Sequence, residues 1–412
     1  MSEERKRVAV ITAGHLSTCP RMIKAADALA EEGHDVHVVS TRATEWAAAA
    51  DEALVQRRRG LWRWSVVDYS KGGAPWTYFA SGVRQRLARR VIRYGSSRSF
   101  GVAAKALARV HTELVRAALA TDAELFYGGT VGGIGATFEA ARRSGRDYAL
   151  DLEDFYSGDH PDDPDFVKLI ERVETEVLGG ARFLTAASGG ISDAYRASYG
   201  VEPVTIHNTF PLPAAAPEPP PARDTLKLYW FSQTIGRGRG LDDVVEALKR
   251  AGIAAELHLR GNSDPDYVAR LQSVVSATAP ELRLFIHRPL PPDEMTTALT
   301  DYDAGLAVEL GRSVNNAICL SNKALTYVLG GLALVITETE GQRVLIEDLG
   351  EHVIHYVPGD VDTLAEGLKR LATDADFRRR CGEASWAVAS RRWHWEHADE
   401  RERLVQLFAS AE

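Results

Sequence analysis

Residues 227–261 read KLYWFSQTIGRGRGLDDVVEALKRAGIAAELHLRG, and the fold turns on them. KLYWFS is strand-like, 236–240 is a glycine-rich turn, LDDVVEALKRAG is an amphipathic helix and AELHLRG is a second strand. Such an order makes a βαβ unit, whose two strands lie parallel in one sheet. The alternation continues through DYVARLQSVVSAT (helix), LRLFIH (strand) and DEMTTALTDY (helix). AGLAVEL, NKALTYVLGG, LALVITET, RVLIEDLG and HVIHYV carry it on.

Upstream, FPLPAAAPEPPPARD at 210–224 holds six prolines in fifteen residues, which excludes a core helix or a central strand. The segment reads as a linker. Before it the same alternation recurs with interruptions. RVAVITAG is a strand and RMIKAADALAEEG a helix, with Met22, Ala25, Ala26 and Leu29 on one face and Gly33 past its end. DVHVVST, ELFYGG, DYALDLE, RFLTAAS and PVTIHN are further strands. The expected architecture is therefore two α/β domains, 1–209 and 225–393, joined at 210–224. Ligands of such sheets bind at the carboxyl ends of the strands, here in a cleft between the domains.

Composition narrows the function classes. At 45% hydrophobic and 26% charged, the 412-residue chain has the makeup of a globular protein with a full core. No apolar run approaches the roughly 18 residues of a transmembrane helix. The opening MSEERKRVAVIT lacks the apolar stretch of a secretory signal. Cys19, Cys319 and Cys381 are odd in number and far apart, offering neither a disulfide framework nor zinc spacing. A cytoplasmic setting is the expectation, with no metal and no cofactor. Net charge −8 argues against general nucleic-acid affinity.

Five stretches are suited to chemistry. Ala13 to Arg21 joins the first strand to a helix, with Pro20 at the first helical position and Ser17 and Thr18 near free N–H groups. It reads equally as a capped turn. Residues 128–135, GGTVGGIG, either bring backbone N–H groups to a ligand or pack a helix tightly on the sheet. In SQTIGRGRG, 232–240, two arginines among three glycines have the bidentate donors that surround a diphosphate. Asp151, Glu153, Asp154, Tyr156 and His160 cluster at a strand's end, where a general base or sugar-hydroxyl ligands belong. Lys323, in the first turn of a helix opening at Ser321–Asn322, opposes the helix dipole, a conflict that a nearby phosphate relieves.

With these motifs in place the chain resembles the GT-B glycosyltransferases of the type grouped as family 4. The likeness rests on AGHLSTCPRMIKAADALAEEGHDVHVVS, YWFSQTIGRGRGLDDVVEAL and LSNKALTYVLGGLALVIT. The resemblance implies two Rossmann-like domains facing across a cleft, and a C-terminal helix, about 394–412, crossing back onto the first. It implies that Arg239, before Gly-Leu, meets the donor diphosphate and that Lys323 meets phosphate. Ser232, Gln233, Arg237, Asn322 and Gly14 complete the donor side, and Gly129, Thr130 and Asp154 lie on the acceptor side. Two glutamates seven residues apart, usual in such enzymes, fall here near Ile318 and on Thr326, the second being the ribose position. The arginine usual in the second motif is replaced around Gln233-Thr234. Glu153 stands where an acceptor-side histidine is common.

The expected activity is transfer of a sugar from a nucleoside diphosphate sugar (GDP or UDP) to a small-molecule acceptor. Glu153 and His15 are its catalytic candidates. A sugar-nucleotide epimerase of the same fold and a non-catalytic scaffold are the alternatives.

One local feature stands apart. No acidic residue lies between Asp68 and Glu113, whereas nine Lys or Arg do. Residues 81–119 read as helix broken at Gly95-Ser96-Ser97, with Leu87, Val91 and Tyr94 in a stripe among Arg86, Arg89, Arg90 and Arg93. The preferred expectation is a helix packed on the N-terminal sheet in a protein without membrane contact. An interfacial helix on an anionic membrane is the other reading.

Overall fold

The computed structural model describes residues 5–94, 99–218, 223–279, 281–290 and 294–410. The chain forms two compact units, Met1–His207 with Arg401–Glu412, and Asn208–Glu400.

The first unit is built on seven parallel strands: β1 Arg7–Thr12, β2 Asp35–Arg42, β3 Arg63–Asp68, β4 Leu125–Gly129, β5 Asp147–Leu152, β6 Leu184–Ala186 and β7 Val204–Thr205. Their order is β3-β2-β1-β4-β5-β6-β7. Val8, Ala9, Val10 and Ile11 of β1 are all buried, as a strand covered by helices on both faces requires. The C-terminal segment belongs here. Phe408 packs edge-on against Tyr127 and Phe183, and Arg401 pairs with Glu31 and Glu32. Its last helix is Arg403–Ala409, shorter than the expected 394–412.

The second unit has six parallel strands: β8 Leu226–Ile235, β9 Ala255–Ser263, β10 Leu282–His287, β11 Ala304–Ala307, β12 Ala333–Thr337 and β13 Ile354–Tyr356. They run in the order β10-β9-β8-β11-β12-β13. Side chains of β8 alternate between two cores. Leu228 and Trp230 join Val244, Leu248, Leu364 and Leu368, while Tyr229 joins Tyr327, Leu329 and Val388 on the other face.

Several expectations change. The start of the proline-rich segment packs on the second unit: Phe210 and Leu212 lie against its core, and the Trp395 N–H donates to the Phe210 carbonyl at 2.9 Å. DEMTTALTDY yields only the 3-10 turn Thr297–Leu299 among its described residues. Residues 81–119 become three helices, Pro75–Tyr94, Phe100–Leu107 and His111–Leu119. The expected break at Gly95-Ser96-Ser97 lies outside the described residues.

The helix Pro75–Tyr94 also faces the other way. Its buried residues are Ser81, Gly82 and Ala88, small enough for close approach to its neighbours. A methyl on Gly82 would meet Arg109 Nη2 at 3.0 Å, and Gln85 Nε2 donates to the carbonyls of Ala106 and Leu107. Leu87, Val91 and Tyr94 are exposed, so the stripe expected to pack on the sheet points outward.

Candidate functional site

Each unit gathers polar side chains at the carboxyl ends of its strands. In the first, β1 runs through Ala13 and Gly14 into the turn Leu16–Thr18 and the helix Pro20–Glu31. His15 does not stand free there. Nδ1 lies 2.9 Å from buried Asp51, and Nε2 faces the backbone N–H groups of Ala43 and Thr44 at 3.1 and 3.2 Å. A ring that donates at one nitrogen and accepts at the other has no site left for a substrate proton. These bonds anchor His15 in the loop, together with Asp51, which accepts the Ser17 N–H at 2.7 Å.

The second glycine-rich turn is ruled by packing at Gly128. A methyl there would lie 1.8 Å from Thr137 Oγ1 on the helix Gly133–Ser144; one on Gly129 would lie 3.0 Å from Met22 Cε. Thr130 follows with φ 67°, a left-handed backbone rare for a β-branched residue. Its Oγ1 accepts the Ala13 N–H at 3.1 Å, tying the ends of β4 and β1 together.

The carboxylate cluster is divided by depth. Asp151 is buried in a bidentate pair with Arg21, Nε to Oδ2 at 2.8 Å and Nη2 to Oδ1 at 2.5 Å, and also accepts from Thr185 Oγ1 at 2.6 Å. Such pairing is what lets a charge be buried. Tyr156 also turns inward, its hydroxyl toward the Asp151 carbonyl, while His160 is exposed beside Phe166. Glu153 and Asp154 remain at the rim, partly buried. Burial first, and then the negative charge of Asp154, push Glu153 well above the usual carboxylate range, with Arg21 and Lys24 pulling against them. Tyr195 braces the loop: its hydroxyl lies 2.6 Å from the buried Glu174 and 3.1 Å from the Asp154 carbonyl. Tyr199 donates to the other Glu174 oxygen at 2.6 Å.

In the second unit β8 continues past the expected Ser232 to Ile235, with its register shifted between Phe231 and Thr234. Gln233 is exposed on the strand, and its carbonyl accepts from Asn262 Nδ2 at 3.1 Å. Arg237 and Arg239 are exposed in the loop before the helix Leu241–Ala251. Gly240, at φ 77°, lies against β11: a methyl on it would sit 2.1 Å from the Val308 carbonyl oxygen. Position 238 is likewise close to Arg312, whose Nη1 would be 3.3 Å from a methyl there. The loop thus carries two arginines, has a third beside it and leads into the N-terminal N–H groups of a helix, an anion-binding arrangement.

The residue after Val308 is Glu309, and it changes the reading of Lys323. Lys323 Nζ lies 2.6 Å from Glu309 Oε1, and Ser321 Oγ donates to the same oxygen at 2.8 Å. The lysine is neither exposed nor unopposed. Burial works against the Glu309 charge, but Lys323 and Ser321 hold it below the usual carboxylate range. Its other oxygen, Oε2, is buried without a hydrogen-bond partner among the described residues. Thr326, expected at the ribose, is fully buried with Oγ1 bonded to the Asn322 carbonyl at 2.7 Å. It has no group to offer a ligand; Asn322 itself is exposed.

The loop bearing Arg237 and Arg239 therefore meets Arg312 and the end of β11, where Glu309 and Lys323 pair. Arg312 and Glu309 were not singled out in the sequence. Glu309 lies in AGLAVEL, where a glutamate after an apolar strand looks like a solvated end. Among the described residues, no group of three or more His, Cys, Asp or Glu is disposed to hold a metal ion. No described helix is long and apolar enough to cross a membrane.

The architecture is that of the GT-B glycosyltransferases. The chain is similar over nearly its whole length to Anabaena Alr3699/HepE in complex with UDP-glucose, at 14% identity, with 98% of this chain and 100% of that one covered and a TM-score of 0.69. It is similar also to sucrose-phosphate synthase from Thermosynechococcus elongatus (14% identity, 98% and 99% covered, TM-score 0.69). A third is a glycosyltransferase from Rickettsia africae ESF-5 (11% identity, 99% of each chain covered, TM-score 0.66). At such identities the likeness establishes the fold. No protein-family model and no curated protein matches the sequence.

Proposed function

We propose that this chain is a glycosyltransferase that takes a nucleoside diphosphate sugar in its second unit and passes the sugar to a small-molecule acceptor. The observation that carries the reading is the meeting of the arginine-bearing loop with Glu309 and Lys323 at the ends of β8 and β11. Arg237, Arg239 and Arg312 address the diphosphate. As the bond from the anomeric carbon to the diphosphate breaks, negative charge grows on the leaving oxygens, and fixed cations there stabilise the transition state. Glu309 Oε2 accepts from a ribose hydroxyl, taking over from Thr326. Lys323 keeps that carboxylate ionised and adds a donor beside it.

In the first unit, Glu153 receives the acceptor's proton. A carboxyl lifted toward neutrality is a better base than an ordinary one. Gly14, Gly129, Thr130 and Asp154 frame its surroundings, and Ser232, Gln233 and Asn322 border the donor. Structures of similar fold hold UDP-glucose, which makes UDP the first nucleotide to try. Calorimetric titration with UDP, GDP and TDP tests the reading. Binding of one diphosphate, well ahead of its monophosphate, is the expected result; no binding of any would sink it.

A further inference from the structure

The helix Pro75–Tyr94 is amphipathic with its apolar side outward. Trp76 is 86% exposed, Phe79 56%, Val83 49%, Leu87 55%, Val91 45% and Tyr94 78%. They recur every three or four residues, so they form one continuous stripe along the helix. Soluble surfaces carry single exposed apolar residues without consequence, but a contiguous row marks a contact face. A shallow groove lined by Trp76, Phe79, Ala80, Val83, Arg84 and Leu87 runs along it.

The charges beside the row choose its occupant. Arg86, Arg89, Arg90 and Arg93 are exposed on the same helix, and no acidic residue occurs between Asp68 and Glu113 to oppose them. Arg84 is turned to Glu113, Arg109 stacks under Tyr78 at 4.0 Å, and Arg89 Nε donates to the Ala106 carbonyl at 3.1 Å, so those three serve the fold. Arg86, Arg90 and Arg93 flank the stripe in a chain whose net charge is −8, a concentration that a protein partner of ordinary surface does not require. The inner face is made of small residues, Ser81, Gly82 and Ala88, while the outer row is exposed. We infer that this helix seats the protein on an anionic lipid surface. The apolar row enters the boundary between headgroups and acyl chains, and the arginines meet lipid phosphates.

Co-sedimentation of the full chain tests this, using vesicles of phosphatidylglycerol in phosphatidylcholine beside vesicles of phosphatidylcholine alone. Binding to the anionic vesicles is expected at low salt and, weakened, at physiological salt, because the apolar part of the attachment is not screened. Leu87→Gln with Val91→Gln should lower the partition coefficient by about tenfold or more. Arg86→Gln, Arg90→Gln and Arg93→Gln together should erase the preference for the anionic vesicles. All of these residues are exposed, so unchanged thermal melting serves as the folding control. No sedimentation with anionic vesicles at either salt would overturn the inference. So would equal binding by the parent and the Leu87→Gln/Val91→Gln chain. A dimer that those two substitutions abolish, with no vesicle binding, would assign the row to a second copy instead.

Discussion

At the scale of single residues the proposed donor site implies a division of labour that mutation can separate. Arg239 is exposed, and in the proposed reading it carries its charge to the diphosphate, so Arg239→Ala should cost about 1.5–3 kcal/mol in affinity for the diphosphate, the scale of hydrogen bonds to charged groups. It should leave affinity for the free nucleoside unchanged. Glu309→Gln should weaken both, and its penalty should vanish against nucleotides lacking the ribose hydroxyl that it holds. Calorimetry with the diphosphate, the nucleoside and the 2′- and 3′-deoxy diphosphates gives the full comparison. Equal loss on every ribose form would remove Glu309 from the ribose. The loop that carries Arg239 was legible in the sequence, because glycine and arginine alternate there between a strand and a helix. Glu309 was not, because its significance lies in a lysine fourteen positions away and in an oxygen left without a partner. Thr326 misled in the opposite sense: it occupies the expected helical position but spends its hydroxyl on its own helix.

At the scale of elements, the apolar strands of both sheets announced themselves, while β3 did not. RWSVVD is exposed to partly buried along its whole length at the edge of its sheet, so it lacks the continuous apolar run of the central strands. The helix Pro75–Tyr94 shows a further limit of periodicity, which gives a stripe but not its direction. Direction came from Ser81, Gly82 and Ala88, whose small size marks the side that approaches the neighbouring helices. Close approach also explains Gly128, whose missing side chain lets the helix Gly133–Ser144 lie against β4. Gly128→Ala should destabilise the protein by about 1–3 kcal/mol, the cost of overpacking. Chemical denaturation measures it, and a midpoint unchanged from the parent would show that Thr137 moves aside freely. Gly128→Ala paired with Thr137→Ala should recover part of the loss, since the contact at 1.8 Å is with Thr137 Oγ1 while Thr137 Cβ stays 2.8 Å from the added methyl.

At the scale of the whole molecule, the first unit carries carboxyls that its interior pushes upward, Glu153 and Glu174 among them, each raised chiefly by burial. A carboxyl raised in the folded state binds more protons than the unfolded chain does, between the ordinary glutamate value near ~4.3 and its own raised value. Stability contributed this way is complete below that ordinary value and is lost as pH climbs through the raised one. Catalysis should run the other way, because Glu153 serves as a base only when ionised. The turnover limb due to Glu153 should therefore rise with pH from above the ordinary carboxylate range, across the window in which the same residue weakens the fold. Glu153→Gln removes both effects. It should flatten that limb, lower kcat by about 10²-fold or more, and make the melting temperature fall less steeply with pH. Melting curves across the window, taken on parent and variant, read the stability half without any acceptor. A parent and a variant with parallel melting profiles would mean that Glu153 is not held in the raised state, and the base would have to be sought elsewhere on the rim, with Asp154 the next carboxylate along the loop.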